Sequence, residues 1–465
     1  MSAPNYISYK DSAARVVLKD GLYYRVIFNS YTNEYDHLMQ SGLYEKLVAK
    51  GLMIAHTEIP LNQLEVEGIT KVYKILQPEQ ISFQGYPFEW SYSQWKKAIN
   101  AYLQINLIAI EFGMILKDAT PYNFYMQDGN AIMLDTSSFC FFKEGDKWNA
   151  YRAFCSEFLS PLTLMHYNGQ RWSRITRTHL RGLPLNFVSK QLPCKSWFHL
   201  NTLLHIHLHA RYTNTEGKPS KKSNTGFSVE KLKSLIGMMQ SSLKCWKKPY
   251  QFEKHWLGYY EQDIASEKYL QHKEEIIEQW MRELQPKSVL DLGANTGRFS
   301  FIAAKYASRV IALESDDICV DTIEAQIKNN KNNHVYPLLM DLAETTPNLG
   351  ALNKELTSIY SRAKSQLVMG LALIHHLHIS NQLSFMQIAE MFAMFCDQYL
   401  VAEFIPITDS KVQLLIKDRN IDLGDYDQEH FMQSMSEWFT VKETITLNAS
   451  DRVLILFEKR TIHIK

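Results

Sequence analysis

Two patterns of apolar and polar positions divide the chain. From Ser288 onward, short apolar runs alternate with longer segments of helical spacing. The runs cover 288–292, 309–313, 335–340, 366–373 and 398–404, and β-rich stretches follow at 437–446 and 452–458. Strands separated by helical stretches predict a parallel sheet with crossover helices. The last two runs predict its antiparallel end, making seven strands. Before Ser288 the pattern differs. Asp20-Gly21 lies between two β-rich runs within 14–28 and signals a hairpin. Residues 35–51 predict a helix ending on Gly51, residues 71–84 further strands, and residues 91–116 a long helix rich in Trp, Leu and Ile. A strand pair turns at Asp128-Gly129, residues 146–211 read as mostly helical, and a helix over 228–247 leads to Pro249. Residues 212–226 read as a solvated loop carrying Lys218, Lys221 and Lys222.

Composition bounds this picture. A chain of 465 residues is too long for one ordinary core, and the change of pattern predicts domains over 1–245 and 246–465. A hydrophobic share of 46% with 21% charged residues is that of a soluble globular protein. The net charge of +1 argues against a global field for nucleic acid or an anionic membrane. Six scattered cysteines without a Cys-x-x-Cys pair suit a reducing compartment, and no apolar run reaches a spanning length. The expectation is a cytoplasmic protein with no membrane or nucleic-acid partner. His205, His207 and His209 alternate, but their Leu-rich surroundings read as a helix, where i and i+2 diverge. No metal is expected there.

The stretch Ser288–Ser300, Ser-Val-Leu-Asp-Leu-Gly-Ala-Asn-Thr-Gly-Arg-Phe-Ser, reads as a strand, a glycine turn and a helix start. Gly293 and Gly297 bracket the turn, where a side chain would block close approach of a ligand. The helix would aim its free N–H groups at that ligand. Glu314 ends the next strand, 21 residues beyond Gly293, and Asp341-Leu342 follows the third. A carboxylate such as Glu314 suits ribose hydroxyls. Asp291 before a Gly-x-x-x-Gly turn resembles the first motif of class I S-adenosylmethionine (SAM) dependent methyltransferases. That resemblance implies a Rossmann-like α/β sheet and SAM as cofactor. Asp291, Gly293, Ala294, Asn295, Gly297, Glu314, Asp341 and Leu342 would bind it, with the last acid near the adenine amino group.

After the fourth strand the chain reads Leu-Ala-Leu-Ile-His375-His376-Leu. With Trp256, Tyr259 and Glu403-Phe-Ile-Pro406, this string resembles a bacterial group of methyltransferases related to nodulation proteins. In that superfamily the segment after the fourth strand faces the transferred methyl group, so the resemblance makes His375 or His376 the candidate base, and Glu403 is a second candidate base or an acceptor-positioning group. A histidine titrating near neutrality suits removal of the acceptor's proton. The segment 255–273, with Trp256, Tyr259, Tyr260, Tyr269 and Lys273, reads as a lid. No amide- or base-methylation motif follows the fourth strand, which disfavours DNA adenine methylation; the sequence does not name the acceptor, and a small molecule or saccharide is the favoured class.

In the first half, Asp118-Ala-Thr-Pro-Tyr-Asn123 precedes an apolar strand ending in Asp135. This resembles the catalytic loop and metal-binding Asp of the protein kinase and aminoglycoside phosphotransferase superfamily. By that resemblance, Asp118 takes the acceptor's proton, and Asn123 and Asp135 hold magnesium in a nucleotide site. The departures are large: no glycine-rich phosphate loop, Leu116-Lys117 where a His is usual, and Thr-Ser after Asp135. Arg25 is the nearest substitute for the phosphate-binding lysine, with Glu45 as its helix partner. The expected fold is therefore an α+β kinase-like domain, degenerate in its site, ahead of a seven-stranded α/β methyltransferase domain. The expected function is methyl transfer, with the first domain binding acceptor or partner. The alternatives are a bifunctional phosphotransferase–methyltransferase and a SAM-binding scaffold without activity.

Overall fold

A computed structural model describes residues 5–6, 11–64, 71–213, 226, 228–246, 267–330, 334–417 and 423–461. The chain divides into two compact units, Met1–Phe252 and Glu253–Lys465.

The first unit opens with five strands: β1 (Asn5–Tyr6), β2 (Ala14–Lys19), β3 (Leu22–Phe28), β4 (His56–Ile59) and β5 (Val72–Pro78). They form one antiparallel sheet in the order β1-β2-β3-β5-β4. Asp20 and Gly21 both take positive φ, 52° and 78°, the turn that suits the twist of a two-residue hairpin. The helix expected over 35–51 is two helices, Thr32–Gln40 and Leu43–Ala49. Gly42 separates them at φ 83°, a backbone state that a helix interior does not hold. The long helix starts at Tyr92, where Ser91 and Gln94 form a capping box, and stops at Glu111. Gly113 turns the chain at φ 71°. Met114–Leu116, expected as helix, is instead strand β6, paired with β9 (Phe139–Phe141). Between them β7 (Phe124–Gln127) and β8 (Asn130–Met133) make a hairpin, with Asp128 and Gly129 in the same positive-φ pair as the first. Helical turns fill 151–213, and the helix Val229–Cys245 follows. One apolar core, including Trp90, Trp95, Tyr102, Phe139, Phe154 and Phe158, joins these helices to the hairpin.

In the second unit, the seven runs read as strands are strands. They are β10 (Ser288–Leu292), β11 (Arg309–Glu314), β12 (Val335–Leu339), β13 (Ser365–Gly370), β14 (Cys396–Phe404), β15 (Phe439–Thr446) and β16 (Val453–Lys459). Their order is β12-β11-β10-β13-β14-β16-β15. The first five are mutually parallel, and β16 is antiparallel to both β14 and β15. The central strands are buried almost throughout, as expected of a parallel sheet covered on both faces. Strand order reverses at β10, which pairs with β11 on one side and β13 on the other. A crevice opens at such a reversal, outside the carboxyl ends of the strands. The 212–226 loop falls largely, and Trp256, Tyr259 and Tyr260 wholly, outside the described residues.

Candidate active site

The turn after β10 lies at that reversal. Gly293, Asn295 and Gly297 have φ of 72°, 48° and 83°. A Cβ on Gly297 would lie 2.9 Å from Ile323, so this glycine is required by packing as well as by φ. A Cβ on Gly293 would meet only the tip of Leu373, at 3.3 Å. The turn differs from expectation in its donors. Gly293 and Ala294 N–H both donate to the Leu313 carbonyl, at 2.9 and 3.1 Å. Asn295 N–H donates to Glu314, Thr296 N–H to the Asn295 side chain, and Gly297 N–H to the Ala294 carbonyl. The helix that follows, Arg298–Ala303, has six residues. The turn is therefore a close-approach surface and not a cradle of free N–H groups for phosphate.

Glu314 braces this surface. Its Oε2 accepts from Asn295 N at 2.7 Å, and its Oε1 accepts from Ser315 N at 2.7 Å and Asp316 N at 2.9 Å. Burial outweighs these donors and moves its carboxyl above the usual range. A carboxylate has about four acceptor sites, so one on Oε2 stays open beside the turn. Asp341, half-buried, accepts from Ala343 N at 3.0 Å, and Leu342 is buried beside it. Asp291 is buried beneath the turn, takes the Ser300 hydroxyl at 2.6 Å and is pushed up to about 6 by burial. Through Ser300 it ties the end of β10 to the helix that follows the turn.

The segment after β13 holds the histidine pair. Ala372 has φ 49°, a strained state for a residue with a Cβ, and its N–H donates to Glu403 Oε2 at 2.8 Å. His375 is buried, and among the described residues neither ring nitrogen has a hydrogen-bond partner. Burial first, then the neighbouring His376 and the positive groups Arg452, Lys411 and Lys273, hold its imidazole neutral and well below the ordinary histidine value, so, against the expectation from the sequence, it does not titrate near neutrality. The half-buried His376 ring lies 4.0 Å from it, centroid to centroid.

Glu403 is not an open base. It is fully buried and takes Tyr269 Oη and Lys273 Nζ at 2.5 Å each, with Arg452 Nη1 at 3.7 Å. Arg452 Nε and Nη2 also clamp Asp409 at 2.8 and 3.1 Å. Burial alone would raise the Glu403 carboxyl, but Lys273 and Arg452 outweigh it and hold it below the usual range. A depressed, saturated carboxylate is a poor proton acceptor and a good tether. It ties the helix Glu267–Leu284, the strained Ala372 and the approach to β16 into one hub. Tyr269 and Lys273, read as lid residues, are buried members of that hub.

The first unit gathers its own predicted residues. Asp135 Oδ1 takes Arg25 Nη1 at 2.5 Å, Ser137 N at 2.9 Å and Ser137 Oγ at 2.6 Å. Its Oδ2 takes Ser138 Oγ at 2.7 Å and Asn123 Nδ2 at 3.4 Å. Asp118 is pushed up to about 6 by burial and by the Asp135 charge. Glu45, expected to pair with Arg25, is exposed, and Arg25 reaches Asp135 instead. His205 and His207 are absorbed by packing: Tyr151 Oη sits 2.6 Å from His205, and Ser189 and Ser196 hold the two nitrogens of His207.

No protein-family model matches the chain. It is similar to the nodulation protein NoeA of Rhizobium meliloti (strain 1021), at 26% identity over 423 residues, 89% of this chain and 88% of that one. Similar solved structures include the N-methyltransferase NodS from Bradyrhizobium japonicum WM9. It is 11% identical with a TM-score of 0.32, covering 42% of this chain and 98% of that one. Another is the bifunctional kinase-methyltransferase WbdD, 14% identical with a TM-score of 0.30, covering 45% of this chain and 42% of that one. These scores are too low to carry a fold or an activity across.

Proposed function

We propose that the chain is a SAM-dependent methyltransferase with two domains, 1–245 and 246–465. The second binds SAM at the glycine turn, and the first, kinase-like but without phosphotransferase activity, holds the acceptor or a partner. One observation carries this reading. The left-handed turn sits at the strand reversal, beside a carboxylate on the next strand, yet its N–H groups are internally satisfied. A phosphate-bearing cofactor needs free donors there. SAM has no phosphate; it needs close approach of its methionyl part, an acid for its ribose and an edge for its adenine. Gly293, Ala294, Asn295 and Gly297 supply the first, Glu314 the second, and Asp341 with Leu342 the third.

SAM supplies an electrophilic methyl group on a sulfonium. The chain's task is to hold the acceptor in line with it and to take a proton where one must leave. His375 carries a neutral imidazole with unused lone-pair capacity on the segment after the fourth strand. It is the base in this account because, unlike Glu403, its nitrogens are not already held, although burial weakens its basicity; His376 lines the same segment, and Glu403 positions both through Ala372. The acceptor is a small molecule or saccharide, and the protein acts in the cytoplasm. No helix among the described residues is long and apolar enough to cross a membrane. The test is isothermal titration of the full chain with SAM, followed by radiolabelled methyl transfer to small-molecule and saccharide pools. Saturable binding and a labelled product support the reading. Absence of SAM binding overturns it, and binding without any product favours a SAM-binding scaffold.

A further inference from the structure

We infer that the carboxylate cluster of the first unit takes no divalent cation, because the Arg25 guanidinium already stands where one would be held. This is independent of the SAM reading. The kinase-like resemblance implies magnesium on Asn123 and Asp135, and the donors present do not fit it. A carboxylate offers about four lone-pair directions. Asp135 spends them on five donor contacts: Arg25 Nη1, the Ser137 N–H and hydroxyl, the Ser138 hydroxyl and the Asn123 amide nitrogen. The Ser137 hydroxyl has one hydrogen, and Asp135 at 2.6 Å is a closer acceptor than Asp11 at 3.0 Å. Magnesium demands near-octahedral oxygen ligands at about 2.0–2.1 Å, each with a lone pair free for it. Asn123 presents its NH₂ group, a donor, toward Asp135.

Arg25 is fixed in place. Its other terminal nitrogen donates to the Leu134 carbonyl at 3.2 Å, so the guanidinium bridges the end of the β8 segment and the carboxylate. It projects from β3, which pairs with β2 and β5. Its side chain is 15% exposed and that of Asp135 is 10% exposed, so solvent screens the pair little. A cation at Asp135 would face a permanent positive charge at contact distance. The site is thus neutralised by protein, and a ligand held by this unit is held without a metal bridge.

The experiment is Mn²⁺ titration of the full chain, read by the electron paramagnetic resonance signal of free Mn²⁺ and by calorimetry. Wild type should show no saturable uptake at millimolar Mn²⁺ that depends on Asp135. Arg25→Gln combined with Ser137→Ala, which takes two donors off Asp135 Oδ1 and leaves only the Ser137 N–H there, should, once checked for folding by circular dichroism, gain a saturable site at least about tenfold tighter than any in wild type. Adding Asp135→Asn should remove it. Arg25→Met replaces the Gln variant if that does not fold. Wild-type uptake that Asp135→Asn abolishes would overturn the inference. So would a folded double variant that gains no site, since Arg25 would then not be what excludes the ion.

Discussion

Lys273→Met is the sharpest perturbation of the hub beneath the proposed methyl-transfer segment. Lys273 Nζ lies 2.5 Å from Glu403 Oε2, and both side chains are almost wholly buried. Removing one partner of a buried ion pair costs about 3–5 kcal/mol, because the other charge stays desolvated. Arg452, at 3.7 Å from Oε1, still faces Glu403, which points to the low end, about 3 kcal/mol. Methionine fills most of the lysine volume and packs on Phe299, whose ring centroid is 4.8 Å from Nζ, so little of the loss is cavity. In a unit of this size each kcal/mol lowers the melting temperature by about 2–4 °C, so the drop should be about 6–12 °C. The pH dependence has a definite sign. The Glu403 carboxyl is held below its unfolded value, so the pair's contribution is present above about pH 4.3 and is lost as pH falls through the folded value. The Lys273→Met penalty should shrink in acid accordingly. Scanning calorimetry of Lys273→Met, Glu403→Gln and the double variant measures the coupling. The double variant should recover about 1–2 kcal/mol relative to the sum of the singles. A loss below about 1 kcal/mol for Lys273→Met, or strict additivity, would refute the hub.

Three further outcomes follow from the same geometry. Asp291→Asn keeps an acceptor for Ser300 and removes a buried charge whose carboxyl sits at about 6. It should stabilise the protein by up to about 3 kcal/mol at pH 7, a gain that fades as pH falls from about 6 to about 4, read by urea denaturation. Gly297→Ala meets Ile323 at 2.9 Å and a φ of 83°, and should cost about 2–4 kcal/mol on the same assay. His375→Gln should lower the rate of methyl transfer about 10²-fold or more for an acceptor that must lose a proton. The wild-type pH–rate profile should show no loss between pH 6 and 8 from this imidazole, because burial holds it neutral.

The strand pattern was legible because parallel strands are buried on both faces and read as apolar runs. Each run from 288–292 to 452–458 lies within a residue or a few of its strand. Helix interruptions were less so: Gly42 inside an amphipathic stretch and Gly113 after a long one decide where helices stop, and local spacing does not show it. In the site, the glycine turn and Glu314 could be found by position, but the destination of the turn's N–H groups could not. Leu313 and Glu314, which take them, sit on a neighbouring strand whose pairing only the fold supplies. The hub was least legible. Lys273 lies 130 residues from Glu403 along the chain, with Arg452 further on still, and a strand-end acid looks the same whether it is a base or a tether. Arg25 was singled out as a phosphate-binding substitute; its position against Asp135 turns it into a counterion instead.

The most direct test of the central claim is SAM titration of Gly293→Arg beside wild type. Gly293 has φ 72° and faces only the tip of Leu373, so the substitution obstructs the turn's open face more than the core. Wild type should bind SAM saturably, and the variant should bind none while keeping its circular dichroism spectrum and cooperative melting. Unchanged SAM affinity in a folded Gly293→Arg protein would place the cofactor elsewhere and contradict the account.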